Sequence, residues 1–213
     1  MYWERKLRQN MRQGKDNDMY VIGLTGGVGS GKSLAAQMLA EKRNAELLIT
    51  DELGHAVMAK GSHCYKEILG HFGTELTDPQ GEIDRTKLAQ KVFADEAERS
   101  WLNRLIHPAV IDYVKKYIDE RRKQEGVIVL ESALLFESGC DRLCDEIWYI
   151  FVSEELRRKR LADSRGYSQE KITAILKRQM SEEEFQKCSD VVICNDGTPE
   201  ELERQMLSKI EAQ

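Results

Sequence analysis

A glycine-rich segment that ends in lysine and serine carries the strongest chemical signal in the chain. Residues 26–33 read GGVGSGKS and fit the pattern GxxxxGK[ST], between an apolar run and a helical pattern. Glycines let backbone amides converge on phosphate oxygens, and the N-terminus of the next helix adds the positive end of a dipole. We expect Lys32 to reach the β- and γ-phosphates of a nucleoside triphosphate and Ser33 to ligate Mg²⁺. The residues expected to contact the nucleotide here are Gly27, Val28, Gly29, Ser30, Gly31, Lys32, Ser33 and Leu34.

The phosphate loop, residues 26–33, does not by itself distinguish kinases, switch GTPases and motor ATPases. The guanine-binding motif NKxD does not occur, because none of the asparagines in the sequence is followed by lysine. Motors and helicases are normally larger and bind a nucleic acid track. With 213 residues and a net charge of -5, the chain fits a phosphotransferase that acts on a small molecule and binds no nucleic acid.

Two carboxylates accompany apolar strands and are candidates for a role beside the phosphates. Asp51 follows the apolar run 46–50, and the C-terminal ends of parallel strands share one edge of a sheet with the phosphate loop. It is a candidate to accept or orient the proton of an attacking hydroxyl, and its alternative role is to cap the next helix. Glu131 follows the apolar run 127–130 as a Walker B acid does, and it has either a role in Mg²⁺ binding or a capping or surface role.

Basic residues flank a predicted break in the helical pattern at 164–168. A charge run of this kind is usually a solvated helix face. Two basic helices joined by a turn that contains glycine are also what a lid needs, since its closure brings guanidinium groups onto phosphates and excludes water. Arg165, within the break, is the residue we expect to act in such a lid. The cluster consists of Arg157, Arg158, Lys159, Arg160, Arg165, Lys177 and Arg178.

Strands and helices that alternate along the chain must position these residues. Strands are predicted at 20–24, 46–50, 127–130, 147–152 and 190–194, and helices at 32–42, 154–163, 169–180 and 199–212. Helices dominate 52–124, where Pro108 suits the first turn of a long helix, and 181–184 and 198–201 fit capping boxes. The pattern predicts a three-layer α/β fold with a five-stranded parallel sheet.

The composition excludes several other classes of protein. Hydrophobic residues make up 41% and charged residues 32% of the chain, as in a compact globular domain. Residues 1–18 are polar, and we expect them to be an appended extension, whose role the sequence does not determine. No apolar run is long enough to cross a bilayer or to form a signal peptide, so we expect a cytoplasmic protein with no membrane partner. The 5 cysteines lack CxxC spacing and the 4 histidines do not cluster, which favours inert thiols over a metal site made of these residues.

Several separated strings of the sequence resemble the dephospho-coenzyme A kinase family. IGLTGGVGSGKS at 22–33 is similar to the family's opening, and TDELGHAV at 50–57 is similar to its segment that carries an acid, here Asp51. LLFE at 134–137 and DVVICNDG at 190–197 are similar to later family strings, and the match runs from Met19 to about residue 210. Leu34, Ile49 and Ala133 depart from the family pattern, and Ile49 leaves Asp51 as the only acid in its segment. In the helical stretch the similar residues are 71–73, Gly81, Asp84, Arg85, Leu88, Val92, Phe93 and 102–108.

The resemblance implies a P-loop kinase fold in a single kinase domain at 19–213. Its implied parts are a core at 19–51, 126–153 and 188–213, a helical region at 52–125 that binds the CoA end of the acceptor, and a lid at 154–187. It also implies that Asn195 lies near the adenine of ATP and that Asp51, His107 and Leu134 contact dephospho-CoA. Asp51, Lys32 and Arg165 are the implied catalytic residues, and Ser33 is the implied ligand of Mg²⁺.

The activity that the resemblance implies is ATP-dependent, Mg²⁺-requiring phosphorylation of the ribose 3′-hydroxyl of dephospho-CoA. The alternative within enzymes is a nucleoside or nucleoside monophosphate kinase of similar architecture. The alternative from another class is a nucleotide-switched binding protein that transfers no phosphoryl group. The sequence does not determine the oligomeric state.

Overall fold

The structure, a computed structural model, describes residues 19–211, so the extension predicted at 1–18 lies outside the described residues. The described residues form two compact units, the first made of 19–48 and 121–211 and the second of 49–120. In this part of the chain no helix combines the length and the apolar character that crossing a membrane requires.

The first unit is built on a five-stranded sheet with the strand order β2-β3-β1-β4-β5. Strand β1 pairs in parallel with β3 and with β4, and β4 pairs in parallel with β5. The central strands are buried on both faces, which explains their continuous apolar runs. The predicted α/β fold with a five-stranded sheet is confirmed. The strands are β1 (Tyr20–Thr25), β2 (Glu46–Ile49), β3 (Val127–Glu131), β4 (Glu146–Phe151) and β5 (Val191–Cys194).

Helices cover both faces of this sheet. Leu24, Trp148 and Ile150 point to one face and form a buried cluster with residues of α1 and α10. On the other face Tyr149 stacks on Phe185 of α9, with ring centroids 4.9 Å apart. The helices of the first unit are α1 (Lys32–Arg43), α6 (Leu135–Ser138), α7 (Glu154–Arg165), α8 (Gln169–Lys177), α9 (Glu182–Cys188) and α10 (Pro199–Glu211), with a 3-10 turn at Cys140–Leu143.

The second unit is helical and has its own apolar core, in which Ile68, Phe72, Leu76 and Leu88 are buried. A loop at 77–84, with a bridge between Thr77 and Ile83, separates its middle helices. The elements are α2 (Thr50–Val57), α3 (His63–Phe72), a 3-10 turn at Thr74–Leu76, α4 (Arg85–Ala94) and α5 (Glu96–Arg121), whose last residue belongs to the first unit.

Most elements match the sequence pattern, but several local predictions are wrong. Helix α8 ends at Lys177 and not at residue 180 as predicted. Pro108 lies inside the 26-residue helix α5 instead of in its first turn. The helix begins earlier because the Asp95 carboxylate accepts a hydrogen bond from the amide of Ala97 at 2.7 Å, which caps the first turn. Helix α7 continues to Arg165 before Gly166 ends it in the left-handed conformation, so Arg165 is a helical residue and is not part of the break.

Candidate active site

The phosphate loop joins β1 to α1 through a turn that glycine adopts without strain. Gly29 has a φ of 84° and Gly31 a φ of 80°, both in the left-handed region. Gly31 is the N-cap of α1 and provides no side-chain cap. The first turn of the helix thus has no side-chain cap, and the helix dipole favours an anionic ligand there.

Glu131, the last residue of β3, lies beside the two functional residues at the start of α1. The hydroxyl of Ser33 donates to Oε1 of Glu131 at 3.4 Å, and Nζ of Lys32 lies 4.0 Å from the same oxygen. Glu131 is only 4% exposed, which excludes the surface role that the sequence left open. The parallel register explains the approach, because Glu131 pairs with Leu24, two residues before the loop begins.

The oxygens of Ser33 and Glu131 fit a magnesium ion that is held jointly with a nucleotide. Mg²⁺ binds oxygen ligands, usually one or two from protein side chains together with phosphate oxygens and waters. Within residues 19–211 no group of three or more His, Cys, Asp and Glu side chains forms a metal site by itself. A hydroxyl and a carboxylate at hydrogen-bond distance are the donor set that such a shared site needs.

Asn195 connects the end of β5 to the phosphate loop. It is 5% exposed, and its side-chain amide donates to the carbonyl oxygen of Ser30 at 2.8 Å. The backbone carbonyl oxygen of Asn195 accepts a hydrogen bond from Nη2 of Arg160 at 2.9 Å. Asn195 therefore holds the loop in place through the carbonyl oxygen of Ser30. Together with Arg160 it lies next to loop residues that the sequence predicts to contact the nucleotide.

Arg157, in the first half of α7, lies against the beginning of the phosphate loop. Its Nε donates to the carbonyl oxygen of Val28 at 3.3 Å, and its Nη2 donates to Oε1 of Gln179 at 2.5 Å. The same oxygen of Gln179 accepts a hydrogen bond from the amide of Val28 at 3.3 Å. A Cβ added to Gly27 would displace this guanidinium, so glycine permits its close approach to the loop.

Burial lowers the pKa of Arg157 below its usual value, since removing a guanidinium from water disfavours its charged form. In the sequence, Arg157 is one member of a basic run, and no pattern assigns it a role of its own. The sequence contains one signal for the position of Arg157, the apolar Leu161 four residues later on the same helix face. In the structure Leu161 is 1% exposed and faces the loop at Gly29. Gln179 follows α8 in a turn and has no comparable signal.

The other basic residues of α7 have different surroundings. Arg158 donates from Nε to Glu154 at 2.8 Å and from Nη1 to Thr173 at 3.0 Å, and so connects α7 to α8. Arg165, predicted as the lid residue, is exposed at the C-terminal end of α7. The structure brings Arg157, and not Arg165, into contact with the phosphate loop.

The residues predicted to contact the acceptor are divided between the two units. Asp51 is exposed in the first turn of α2, and His107 is partly buried in α5 of the second unit. Burial lowers the pKa of His107, since the charged imidazolium loses hydration. Leu134, in the first unit, is 42% exposed at the N-cap of α6.

The second unit contains two cavities that share Arg85. One is a shallow, open depression beside Phe93, which is 80% exposed. The other is more enclosed and has a volume of about 660 Å³ and a mixed polar and apolar wall. A cavity of this second kind has the volume of sites for organic ligands of moderate size. The second cavity is lined by His55, Met58, Ala59, Asp78, Glu82, Ile83, Asp84 and Arg85.

Comparisons with known proteins connect this geometry to one family. The family model described as dephospho-CoA kinase (CoaE) matches residues 20–201. A dephospho-CoA kinase from Idiomarina loihiensis is 35% identical over 187 residues, which cover 88% of this chain and 91% of that protein. A dephospho-CoA kinase from Bacillus cereus is 40% identical over 180 residues, which cover 84% of this chain and 89% of the relative.

The solved structure of dephospho-CoA kinase from Campylobacter jejuni has a similar fold. It superposes with a TM-score of 0.65, and the superposition covers 91% of this chain and 96% of the other chain. The sequences are 22% identical over the superposed residues. At that identity the likeness supports the fold.

Proposed function

The chain belongs to the dephospho-CoA kinase family, and we propose that it transfers the γ-phosphoryl group of ATP to the ribose 3′-hydroxyl of dephospho-CoA. This transfer produces coenzyme A and is the last step of its synthesis. The observation that carries the proposal is the phosphate loop inside the matched region, with Lys32 and Ser33 beside the buried carboxylate of Glu131.

Lys32 and the amides at the start of α1 bind the polyphosphate in this proposal. Phosphoryl transfer needs little covalent help from the protein, so most of the rate enhancement comes from positioning and charge stabilisation. Lys32 is 13% exposed and already lies at the loop, so it needs little rearrangement to meet an anionic ligand. Gly29 and Gly31 keep the amides convergent, and Asn195 holds the loop in this shape.

We propose that Ser33 and Glu131 hold the Mg²⁺ that accompanies ATP, with Glu131 acting directly or through water. Mg²⁺ bound there neutralises part of the charge on the phosphates. Ser33 supplies a hydroxyl oxygen, and Glu131 orients it through their hydrogen bond at 3.4 Å. The ammonium group of Lys32 lies 4.0 Å from the carboxylate of Glu131, so the two opposite charges are on the same side of the loop.

The acceptor is assigned to the helical residues 52–125, with Asp51 as the group that engages its 3′-hydroxyl. Support comes from the family strings in this stretch, from the carboxylate of Asp51, which suits a proton acceptor, and from the two cavities at Arg85. His107 and Leu134 complete the proposed acceptor contacts, and Asn195 those of the adenine. Residues 154–187 form the proposed lid, in which Arg165 closes over the phosphates.

The proposal also includes a cytoplasmic location with ATP and dephospho-CoA as partners and with no nucleic acid or membrane partner. Both substrates are small molecules, and the net charge of -5 does not favour binding to a nucleic acid backbone.

Incubation of the purified protein with MgATP and dephospho-CoA tests the proposal, with coenzyme A detected by mass spectrometry. Lys32→Met is expected to abolish product formation. Lys42→Met is the matched control, since Lys42 pairs with Glu203 on the surface. Turnover of AMP, CMP or uridine in preference to dephospho-CoA would instead indicate a nucleoside or nucleotide kinase. Slow ATP or GTP hydrolysis with no acceptor consumed would indicate a nucleotide-switched binding protein.

A further inference from the structure

The guanidinium of Arg157 is a partly buried cation in direct contact with the phosphate loop. It touches the backbone at Gly27 and donates to the carbonyl oxygen of Val28 at 3.3 Å. A second donor is used by Gln179 at 2.5 Å. A guanidinium has five N–H donors, so these two contacts leave most of them for another acceptor.

Arg157 forms no direct ion pair with any described residue that would compensate for its partial burial. In the part of the chain that the structure describes, no carboxylate lies within 4.0 Å of its nitrogens. Partial burial without a direct ion pair is costly, because the more distant carboxylates of Glu154 and Glu182 replace the lost hydration only in part. The lowered pKa of Arg157 has the same cause. The neighbouring Arg158, by contrast, pairs with Glu154 at 2.7 Å.

The side-chain oxygen of Gln179 lies in front of the Val28 amide, which belongs to the phosphate loop. The amide of Val28 donates to Oε1 of Gln179 at 3.3 Å, and Arg157 donates to that same oxygen. One neutral oxygen therefore accepts from both a loop amide and a guanidinium. A phosphate oxygen offers the same acceptor geometry with a full negative charge, which strengthens each hydrogen bond.

We propose that Arg157 is a further catalytic residue that contacts the polyphosphate of the bound nucleotide, and that Gln179 is the positioning residue that holds it at the loop. The inference rests on the proposed function, in which the loop binds ATP. On nucleotide binding, phosphate oxygens take the free donors of Arg157, and the oxygen of Gln179 either shares or gives up its place at the amide of Val28.

The first test measures the affinity of Arg157→Gln for inorganic tripolyphosphate, ATP and AMP by calorimetry. Loss of a hydrogen-bonded charge contact predicts about 10- to 100-fold weaker binding of tripolyphosphate and ATP and a smaller loss for AMP. Arg158→Gln removes the same charge from the next position and is expected to keep near wild-type affinities, which controls for a general change in potential. Thermal unfolding of each variant verifies that it is folded.

The second test uses Gln179→Glu, which keeps an acceptor oxygen for Val28 and for Arg157 but adds a negative charge. It is expected to retain or raise the melting temperature, since Arg157 gains a counter-ion. It is also expected to weaken tripolyphosphate binding by about 10-fold or more, because the added carboxylate competes with phosphate.

The inference is overturned if folded Arg157→Gln and Gln179→Glu both bind tripolyphosphate and ATP as the wild type does, whatever their melting temperatures. Arg157 would then only brace the loop. Failure of the proposed function gives a different result: the wild type would bind tripolyphosphate but form no coenzyme A. Tripolyphosphate binding therefore reports on Arg157 independently of the acceptor.

Discussion

The hydroxyl of Ser33 donates to Oε1 of Glu131 at 3.4 Å, although 98 positions separate the two residues in the sequence. Ser33 lies in the first turn of α1, and Glu131 is the last residue of β3. The pair joins the end of the phosphate loop to a neighbouring strand and supplies the oxygens on which the proposed magnesium site depends.

Glu131→Gln is expected to raise the Mg²⁺ concentration at half-maximal activity by about 10- to 100-fold, as the loss of an outer-shell partner typically does. Titration of activity with Mg²⁺ at saturating ATP and dephospho-CoA measures the effect. Glu183→Gln is the matched control, because the side chain of Glu183 is 86% exposed in α9. An unchanged Mg²⁺ dependence in folded Glu131→Gln would contradict the proposed role.

Asp51→Asn is expected to lower kcat by about 10²- to 10⁴-fold, the usual contribution of general base catalysis, while ATP binding survives. Steady-state kinetics and ATP titration by calorimetry separate the two quantities. Glu52→Gln changes the neighbouring exposed carboxylate in α2 and is expected to retain kcat. If Asp51→Asn kept the wild-type kcat, another group would have to accept the proton.

Gly31→Ala is expected to destabilise the protein more than Gly166→Ala. Both residues have positive φ, 80° and 62°, so each alanine pays the left-handed strain of about 1–2 kcal/mol. At Gly31 the new methyl group also collides with the side-chain amide of Asn195, whereas the space around Gly166 is open to 4 Å. Urea unfolding measures the difference, and equal losses would show that the Asn195 contact adjusts at no cost.

His107 is expected to make stability fall as the pH is lowered through the imidazole range. Its pKa is lowered by burial, so the folded state binds fewer protons than the unfolded state. Its stabilising contribution is therefore complete above the unfolded value of 6.5 and decreases as the pH falls toward the folded pKa.

The free energy of unfolding of the wild type and of His107→Gln, measured between pH 7.5 and 5 by urea denaturation, tests this assignment. The variant is expected to lose less stability over that interval than the wild type. His63→Gln is the control, because the side chain of His63 is 78% exposed. Parallel pH profiles for wild type and His107→Gln would contradict the prediction.

The sequence by itself determined the features that depend on neighbouring residues. The phosphate loop follows from glycines and a lysine at short spacing, and the strands follow from apolar runs. The capping box of Ser181 and Glu184 forms as its spacing predicts. Such features need no information about distant residues, since their hydrogen bonds close within a few positions.

Only the tertiary structure decided which residues surround the loop. Arg157, Gln179 and Asn195 reach it from 129, 151 and 165 positions away, counted from their partners Val28 and Ser30. These contacts depend on the strand order, which places β3 and β4 on either side of β1 and β5 next to β4. A local pattern shows that Arg157 is charged and helical, but its burial against the backbone depends on how α7 packs on the sheet.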